Sequence, residues 1–236
     1  MGAAVIAAKA CLRSGTGLLT VNVPKAERFI VQTSIPEAML MLREDESSDF
    51  NQFSSIGIGP GLGTVKATVE FLSKAFKAAK PLLLDADALT VLSTNEKLLA
   101  KVPAGTILTP HPKEFDRLFG IHGTDDERSA TAIRKAKDLN LVIVLKNYQT
   151  LITFTGEAFL NTTGNAGLAK GGSGDALSGI ITAFLAQGYH PFTAAKLGVY
   201  IHGLGADMTL KQQSMESMLI TDVIENLGEA FKYLLQ

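Results

Sequence analysis

Several features that mark particular protein classes are missing from this chain of 236 residues. Cys11 is its only cysteine, which excludes an intrachain disulfide and a multi-cysteine zinc site and suits a reducing cytoplasm. The longest apolar runs, such as residues 3–8 and 141–145, are far shorter than the roughly 20 residues that span a bilayer. Lysine and arginine number 22 against 23 acidic residues, and no basic cluster alternates with aromatics. Neither a membrane nor a nucleic acid is therefore an expected partner.

The composition instead predicts a folded α/β domain. Hydrophobic residues make up 46 % of the chain and charged residues 19 %, which leaves enough apolar surface for a sizeable core. Internal repeats, low-complexity tracts and linkers rich in proline, glycine and serine are absent from the sequence. At this length we expect residues 1–236 to form a single domain.

Short apolar runs alternate along the chain with longer stretches of helical spacing. Because strand followed by helix, repeated, is typical of a parallel sheet, we predict a three-layer α/β/α fold with a central, mainly parallel sheet. The predicted strands are residues 18–23, 55–58, 81–84, 106–108 and 141–145. The predicted helices are residues 3–12, 66–78, 113–119, 125–139, 175–187, 192–210 and 220–235. Residues 151–154 and 157–160 are predicted to form a hairpin around Thr155 and Gly156.

The strongest functional signal is the glycine-rich segment of residues 164–175, which runs into a helix that is apolar nearly all round. Glycines let successive backbone N–H groups turn toward one phosphate, and the start of a helix adds about half a positive charge. Asp175 lies in the first turn of that helix, where a carboxylate either stabilises the terminus or acts as a base. A capping aspartate does not need three preceding glycines, so the combination favours catalysis by Asp175.

Weaker signals lie at the ends of other predicted strands, where ligands bind in open α/β sheets. The loop of residues 57–63 fits neither the Rossmann nor the P-loop spacing, and Pro60 makes it a rigid wall. His111 lies between two prolines in an extended loop after a strand. The other histidines lack such a setting: His122, His190 and His202.

Two carboxylates and one lysine also follow strands. Asp85 and Asp87 either hold a metal-bound phosphate or cap the short helix that follows them, and capping is favoured for Asp87. Lys146 ends a strand, where an ammonium group either meets phosphate or is solvated.

Four motifs in this order resemble the ADP/ATP-dependent NAD(P)H-hydrate dehydratases of the ribokinase-like superfamily: residues 59–63, 84–89, 108–115 and 165–175. Residues 2–4 and 13–17 also match that family's first helix. The resemblance implies a repair lyase that uses ADP or ATP with Mg²⁺ to phosphorylate the hydroxyl of hydrated NADH or NADPH. Phosphate then leaves, and the dihydronicotinamide is restored.

The resemblance also implies roles for individual residues. It makes Asp175 the catalytic base and a substrate contact, and it assigns no metal ligand. It implies further substrate contacts by Ala3, Gly61 and His111. The implied adenine-nucleotide contacts are Gly174, Lys146, Asn147, Tyr148, Gln149 and Thr150.

Members of the family carry a strand and a glycine-containing loop before the helix that here begins near Gly2. We therefore expect the sequence to be a fragment that lacks its N-terminal strand. Relatives are often homo-oligomers, and a homo-oligomer is an open possibility here.

Two other functions are open at this point. A small-molecule kinase of the same superfamily, of the hydroxyethylthiazole-kinase type, performs the same first step with a similar glycine loop and aspartate. A nucleotide-binding module without activity is the alternative of another class.

Overall fold

The structure of the protein is a computed structural model that describes residues 1–45 and 49–235. Its strands are β1 (Thr20–Val23), β2 (Met39–Leu42), β3 (Ile56–Ile58), β4 (Leu82–Leu84), β5 (Ile107–Leu108), β6 (Val142–Leu145), β7 (Leu151–Phe154) and β8 (Glu157–Leu160). Its helices are α1 (Gly2–Leu12), α2 (Arg28–Ser34), α3 (Lys66–Lys77), α4 (Ala86–Ser93), α5 (Glu96–Leu99), α6 (Pro112–Phe119), α7 (Asp125–Leu139), α8 (Ser173–Ala186), α9 (Pro191–Thr209), α10 (Ile220–Glu225) and α11 (Leu227–Leu234).

The main sheet runs from β3 to β8 in chain order. Neighbouring strands from β3 to β6 are parallel, while β7 and β8 are antiparallel to their neighbours. Thr155 and Gly156, at the turn between β7 and β8, have φ values of 50° and 93°. Positive φ at both positions matches a tight turn to the twist of its strands. The mainly parallel sheet and the hairpin are both confirmed.

Helices cover both faces of this sheet. Leu83 of β4 packs into the apolar cluster of α8 and α9, whereas Leu82 and Leu84 pack into the cluster of α3 and α4. Successive side chains point to opposite faces of a strand, so a strand covered on both sides is apolar throughout. This arrangement confirms the three-layer α/β/α prediction.

A second, smaller sheet pairs β1 with β2 in parallel. Both β1 and β3 border a largely apolar cavity of about 240 Å³, which Phe50 and Phe71 also line. Neither α2 nor β2 was predicted, and the seven residues of α2 are fewer than the roughly 11–18 over which helical periodicity is visible.

The predicted C-terminal helix of residues 220–235 is interrupted at Asn226, which separates α10 from α11. The Asn226 side-chain amide donates to the Thr209 hydroxyl at 3.2 Å and to the Asp222 carbonyl at 3.1 Å. Side-chain bonds of this kind compete with the helical backbone pattern. Within the described residues, every helix is too short or too polar to cross a bilayer.

Candidate active site

A cavity of about 880 Å³ lies where the carboxyl ends of β4 and β6 meet the start of α8. Parallel strands end at the same edge of a sheet, so they bring residues that are distant in sequence to one place. The cavity lining includes Asp85, His111, Glu114, Lys146, Thr163, Gly174, Asp175, Leu177, Val199 and His202.

Asp85 is the most deeply buried charged group of this cavity, with 1 % of its surface exposed. Its Oδ1 accepts a hydrogen bond from Lys146 Nζ at 2.9 Å, and its Oδ2 accepts one from Ser178 Oγ at 2.7 Å. A buried carboxylate is tolerated when its oxygens are paired in this way. Of the two roles that the sequence left open for Asp85, metal binding and helix capping, its side chain makes no capping hydrogen bond, and it holds Lys146 instead of a backbone N–H group.

Asp87 connects the first turn of α4 to the loop of residues 57–63. Its Oδ2 accepts a hydrogen bond from the Gly63 backbone N–H at 2.8 Å, so the prediction that its side chain caps its own helix was wrong. The same loop approaches the end of β4 at Gly59, where an added Cβ would lie 1.8 Å from the Asp85 carbonyl oxygen. Only glycine allows this approach, with φ at +140°. The loop of residues 57–63 is thereby fixed against the end of β4.

His111 is the N-cap of α6. Its Nδ1 accepts hydrogen bonds from the backbone N–H groups of Lys113 at 3.1 Å and Glu114 at 3.3 Å. In return, the Glu114 carboxylate accepts from the His111 backbone N–H at 2.9 Å, which completes a capping box. An Nδ1 that accepts carries no proton, so the ring is neutral with its hydrogen on Nε2. Burial also lowers the pKa of His111, consistent with the neutral ring.

Lys146 supplies the positive charge of the cavity. Besides its contact with Asp85, its Nζ lies 4.0 Å from Glu114 Oε2. An added Cβ at Gly174 would lie 3.1 Å from the same Nζ. The absence of a side chain at Gly174 therefore lets the ammonium group lie directly beside the first turn of α8.

Asp175 lies half-buried in that first turn. Its carboxylate accepts no hydrogen bond from any residue that the structure describes. Burial raises the pKa of Asp175, and the charge of Asp85 raises it further, while Lys146 opposes the shift. A carboxylate in a cavity whose proton affinity is raised is suited to proton transfer.

Most of the predicted site residues line this cavity together, with three exceptions. Asp175, His111, Gly174, Lys146, Asn147, Tyr148 and Thr150 belong to its lining. Gln149 is exposed and outside it. Gly61 and Ala3 also lie outside the lining but meet each other, since a Cβ added to Gly61 would lie 3.7 Å from Ala3 Cβ. The ligand contacts of all these residues remain predictions.

Sequence reasoning missed three residues of the site. Ser178 lies one turn after Asp175 on α8, and Glu114 lies one turn after His111. Helical spacing from a predicted site residue was the available signal for both. His202 was set aside because it does not lie in a loop after a strand as His111 does, yet it lines the cavity.

The chain is similar to known proteins in sequence and in fold. A family model described as NAD(P)H-hydrate dehydratase matches residues 1–229. The chain is 36 % identical over 233 residues to an ADP-dependent (S)-NAD(P)H-hydrate dehydratase of Neisseria meningitidis, covering 94 % of this chain and 78 % of that one. It is 34 % identical over 243 residues to a bifunctional NAD(P)H-hydrate repair enzyme of Moorella thermoacetica, covering 96 % of this chain. Only 46 % of that relative is matched, so the chain spans about half its length.

The fold is also similar to those of solved structures. The structure of the ADP/ATP-dependent NAD(P)H-hydrate dehydratase of Bacillus subtilis, co-crystallised with ATP and Mg²⁺, matches with a TM-score of 0.86 at 31 % identity. The match covers 98 % of this chain and 84 % of that one. A hydroxyethylthiazole kinase of Pyrococcus horikoshii matches with a TM-score of 0.67 at 16 % identity, over 98 % of this chain and 93 % of that one, a likeness of fold alone.

Proposed function

Because this chain belongs to the NAD(P)H-hydrate dehydratase family, we propose that it converts hydrated NADH or NADPH back to the reduced dinucleotide with ADP or ATP as co-substrate. The observation that carries the proposal is Asp175, a carboxylate with raised pKa at the start of α8, inside a cavity shared with Lys146 and His111. This is the arrangement that transfer of a phosphoryl group to a hydroxyl requires.

In the proposed reaction, the substrate hydroxyl oxygen attacks the terminal phosphorus of the nucleotide. The bond between that phosphorus and the bridging oxygen breaks, which releases AMP from ADP or ADP from ATP. Asp175 accepts the hydroxyl proton as the new bond forms. The bond between the ring carbon and the ester oxygen then breaks and releases inorganic phosphate, the neighbouring ring carbon loses a proton to solvent, and the double bond of the dihydronicotinamide forms again.

The chain's own groups would stabilise the phosphoryl group during transfer. Backbone N–H groups at the start of α8 and the Lys146 ammonium group both lie beside the cavity. Donors that are already oriented toward developing charge usually contribute the largest part of such catalysis. The Nε2–H of His111 would donate a hydrogen bond to the dinucleotide, and Ala3 and Gly61 are the other predicted substrate contacts.

Mg²⁺ fits the donor set of this cavity. Three carboxylates, those of Asp85, Glu114 and Asp175, line this cavity together with one ammonium group, that of Lys146. Such a site would repel a polyphosphate unless a divalent cation came with it. No three metal-binding side chains converge among the described residues. Asp85 and Glu114 would therefore hold Mg²⁺ together with phosphate oxygens and water, its usual ligands beside nucleotides, and the ion would neutralise phosphate charge.

The test is recovery of reduced-nicotinamide absorbance from NADH hydrate with Mg²⁺ and either ADP or ATP. We expect recovery in the wild type and a loss on the order of 10²–10⁴-fold in Asp175→Asn, with nucleotide binding retained. Asp126→Asn is the matched control, because Asp126 is an exposed carboxylate in the first turn of α7. It should keep full activity.

Three results would contradict the proposal. Near-normal rates in Asp175→Asn would make Asp175 only a stabiliser of its helix. A phosphorylated product that accumulates without recovery of absorbance would indicate a small-molecule kinase. Nucleotide binding without any turnover in the wild type would indicate a binding module. A cytoplasmic location and homo-oligomerisation stay predictions, testable by fractionation and by light scattering.

A further inference from the structure

His202 is a polar residue of the cavity that the proposed reaction does not use. It lies in the middle of α9 with 6 % of its surface exposed, and it lines the cavity together with the apolar Leu177 and Val199. Its Nε2 is fully buried and has no hydrogen-bond partner among residues 1–45 and 49–235. A buried ring nitrogen without a partner is a feature that needs a physical reason.

Keeping such a nitrogen is costly. A buried polar group that is left unpaired lowers stability relative to a paired one. Burial, reinforced by the charge of Lys146, lowers the pKa of His202 to about 4, so the ring is neutral near pH 7. A neutral imidazole offers one donor and one acceptor, which suits a hydroxyl or a heterocyclic nitrogen better than a phosphate.

The neighbours of His202 on the cavity wall already have partners. The Asn161 side-chain amide donates to the Thr163 carbonyl at 2.8 Å, and the Thr163 hydroxyl donates to the Tyr200 carbonyl at 2.8 Å. Two other buried side-chain atoms lack partners in the part of the chain that the structure describes, Asn22 Oδ1 and Thr109 Oγ1. Both belong to residues outside the lining of this cavity, which leaves His202 as its unpaired buried group.

We propose that His202 hydrogen-bonds to the nucleoside part of the adenine nucleotide. The phosphates have their donors at the start of α8 and at Lys146, so the nucleoside extends along the remaining wall of the cavity. That wall combines the apolar Leu177 and Val199 with a few polar groups, of which His202 has the unpaired atom, and this is the usual composition of a pocket for an aromatic or sugar group. The identity of the ligand rests on the proposed function.

Calorimetric titration tests this assignment with two probes, ADP and inorganic tripolyphosphate. In His202→Leu we expect the Kd for ADP to rise about tenfold, which corresponds to about 1.4 kcal/mol. The Kd for tripolyphosphate should not change, because that probe has no nucleoside. The ligand-free variant should unfold at the same temperature as the wild type or higher, since an unpaired buried group has been removed.

Two further variants complete the design. His202→Gln keeps a donor and an acceptor and should retain part of the ADP affinity, and it replaces His202→Leu if the latter does not fold. His190→Leu is the control, because His190 precedes the same helix and contacts Phe154 outside the cavity. Its Kd for ADP should equal that of the wild type.

An unchanged Kd for ADP in His202→Leu would overturn the assignment. So would equal weakening of ADP and tripolyphosphate, or a lower unfolding temperature with unchanged binding, which would make His202 a packing residue. Because these titrations need no hydrated dinucleotide, they separate this inference from the dehydratase proposal. If His202→Leu weakened ADP binding in a protein that lacks dehydratase activity, only the dehydratase proposal would be refuted.

Discussion

Two clusters built from similar residue types lie near opposite ends of α6. The cavity cluster, at the start of the helix, contains Asp85, Glu114, Lys146 and Asp175 beside His111. The outer cluster, toward its end, contains Asp116, Asp125 and Arg128 beside His122. Each has several carboxylates, one permanent cation and one histidine. What distinguishes them is how completely their charges are paired.

Asp116 is saturated with hydrogen bonds. It accepts from Arg128 Nε and Nη2, both at 2.9 Å, and from His122 Nδ1 at 2.8 Å. The Arg128 hydrogen bond is the main reason why the pKa of Asp116 is lowered. Burial and the charge of Asp85 instead raise the pKa of Asp175. An aspartate thus stabilises the fold in the outer cluster, whereas an aspartate without hydrogen-bond partners among the described residues is available for proton transfer in the cavity cluster.

Removing the cation from each cluster should give the largest difference between the two clusters. Lys146→Met should lower kcat/KM roughly 100-fold, because a hydrogen bond to a charged group contributes about 1.5–3 kcal/mol. Arg128→Met should instead lower the free energy of unfolding by about 2 kcal/mol, with kcat/KM unchanged. Steady-state kinetics and urea unfolding of both variants measure the contrast. Equal loss of activity in the two variants would contradict the division of roles.

Replacing one aspartate of each cluster by asparagine should shift stability in opposite directions at pH 7. Asp116 has a lowered pKa, so its contribution is present above the ordinary value of 3.8 and is lost as pH falls through the folded value. Asp116→Asn should therefore cost about 1.5 kcal/mol at pH 7. Asp175 has a raised pKa, so its ionised form destabilises the fold at pH 7 and Asp175→Asn should raise the unfolding temperature.

Thermal unfolding between pH 7 and pH 3 checks both signs. The effect of Asp116→Asn should shrink below about pH 3.8, because the unfolded chain takes up a proton at Asp116 there, before the folded protein does. The gain from Asp175→Asn should disappear as pH falls below the raised value of that group. A destabilised Asp175→Asn at pH 7 would mean that its carboxylate is paired like that of Asp116.

The smallest effect concerns the histidine of the cavity cluster. His111→Ala removes the acceptor that caps α6 and should cost about 1 kcal/mol, whereas His111→Asn keeps a capping acceptor and should cost much less. Both variants lose the Nε2–H group. They should therefore raise the KM for the hydrated dinucleotide by the same factor. If His111→Asn kept the wild-type KM, His111 would serve only the helix.

The parts of the site that sequence reasoning found are those with a local chemical signature. The glycines before Asp175 and the prolines around His111 indicate an unusual backbone conformation next to a functional group. The capping box of His111 was missed although Glu114 has the required spacing, because histidine is not among the usual N-cap residues. The strands of the main sheet were found since burial on both faces makes them continuously apolar.

Contacts between distant segments have no such signature. Asp85 bonds to Lys146 and Ser178, which lie 61 and 93 residues away, and only the folded sheet brings these groups together. His202 is similar, since an isolated polar residue in an apolar helix gives no indication of which surface it faces. The sequence therefore predicted which residues carry chemistry better than which residues hold them.

The capping box at the start of α6 has one more consequence. Protonating His111 at Nδ1 would leave two backbone N–H groups without their acceptor, so a positive charge there would remove the cap of the helix. The capping hydrogen bonds therefore keep the imidazole neutral. The ring presents the same Nε2–H donor to any ligand that enters from solvent, as an amide would, but on a longer, aromatic side chain.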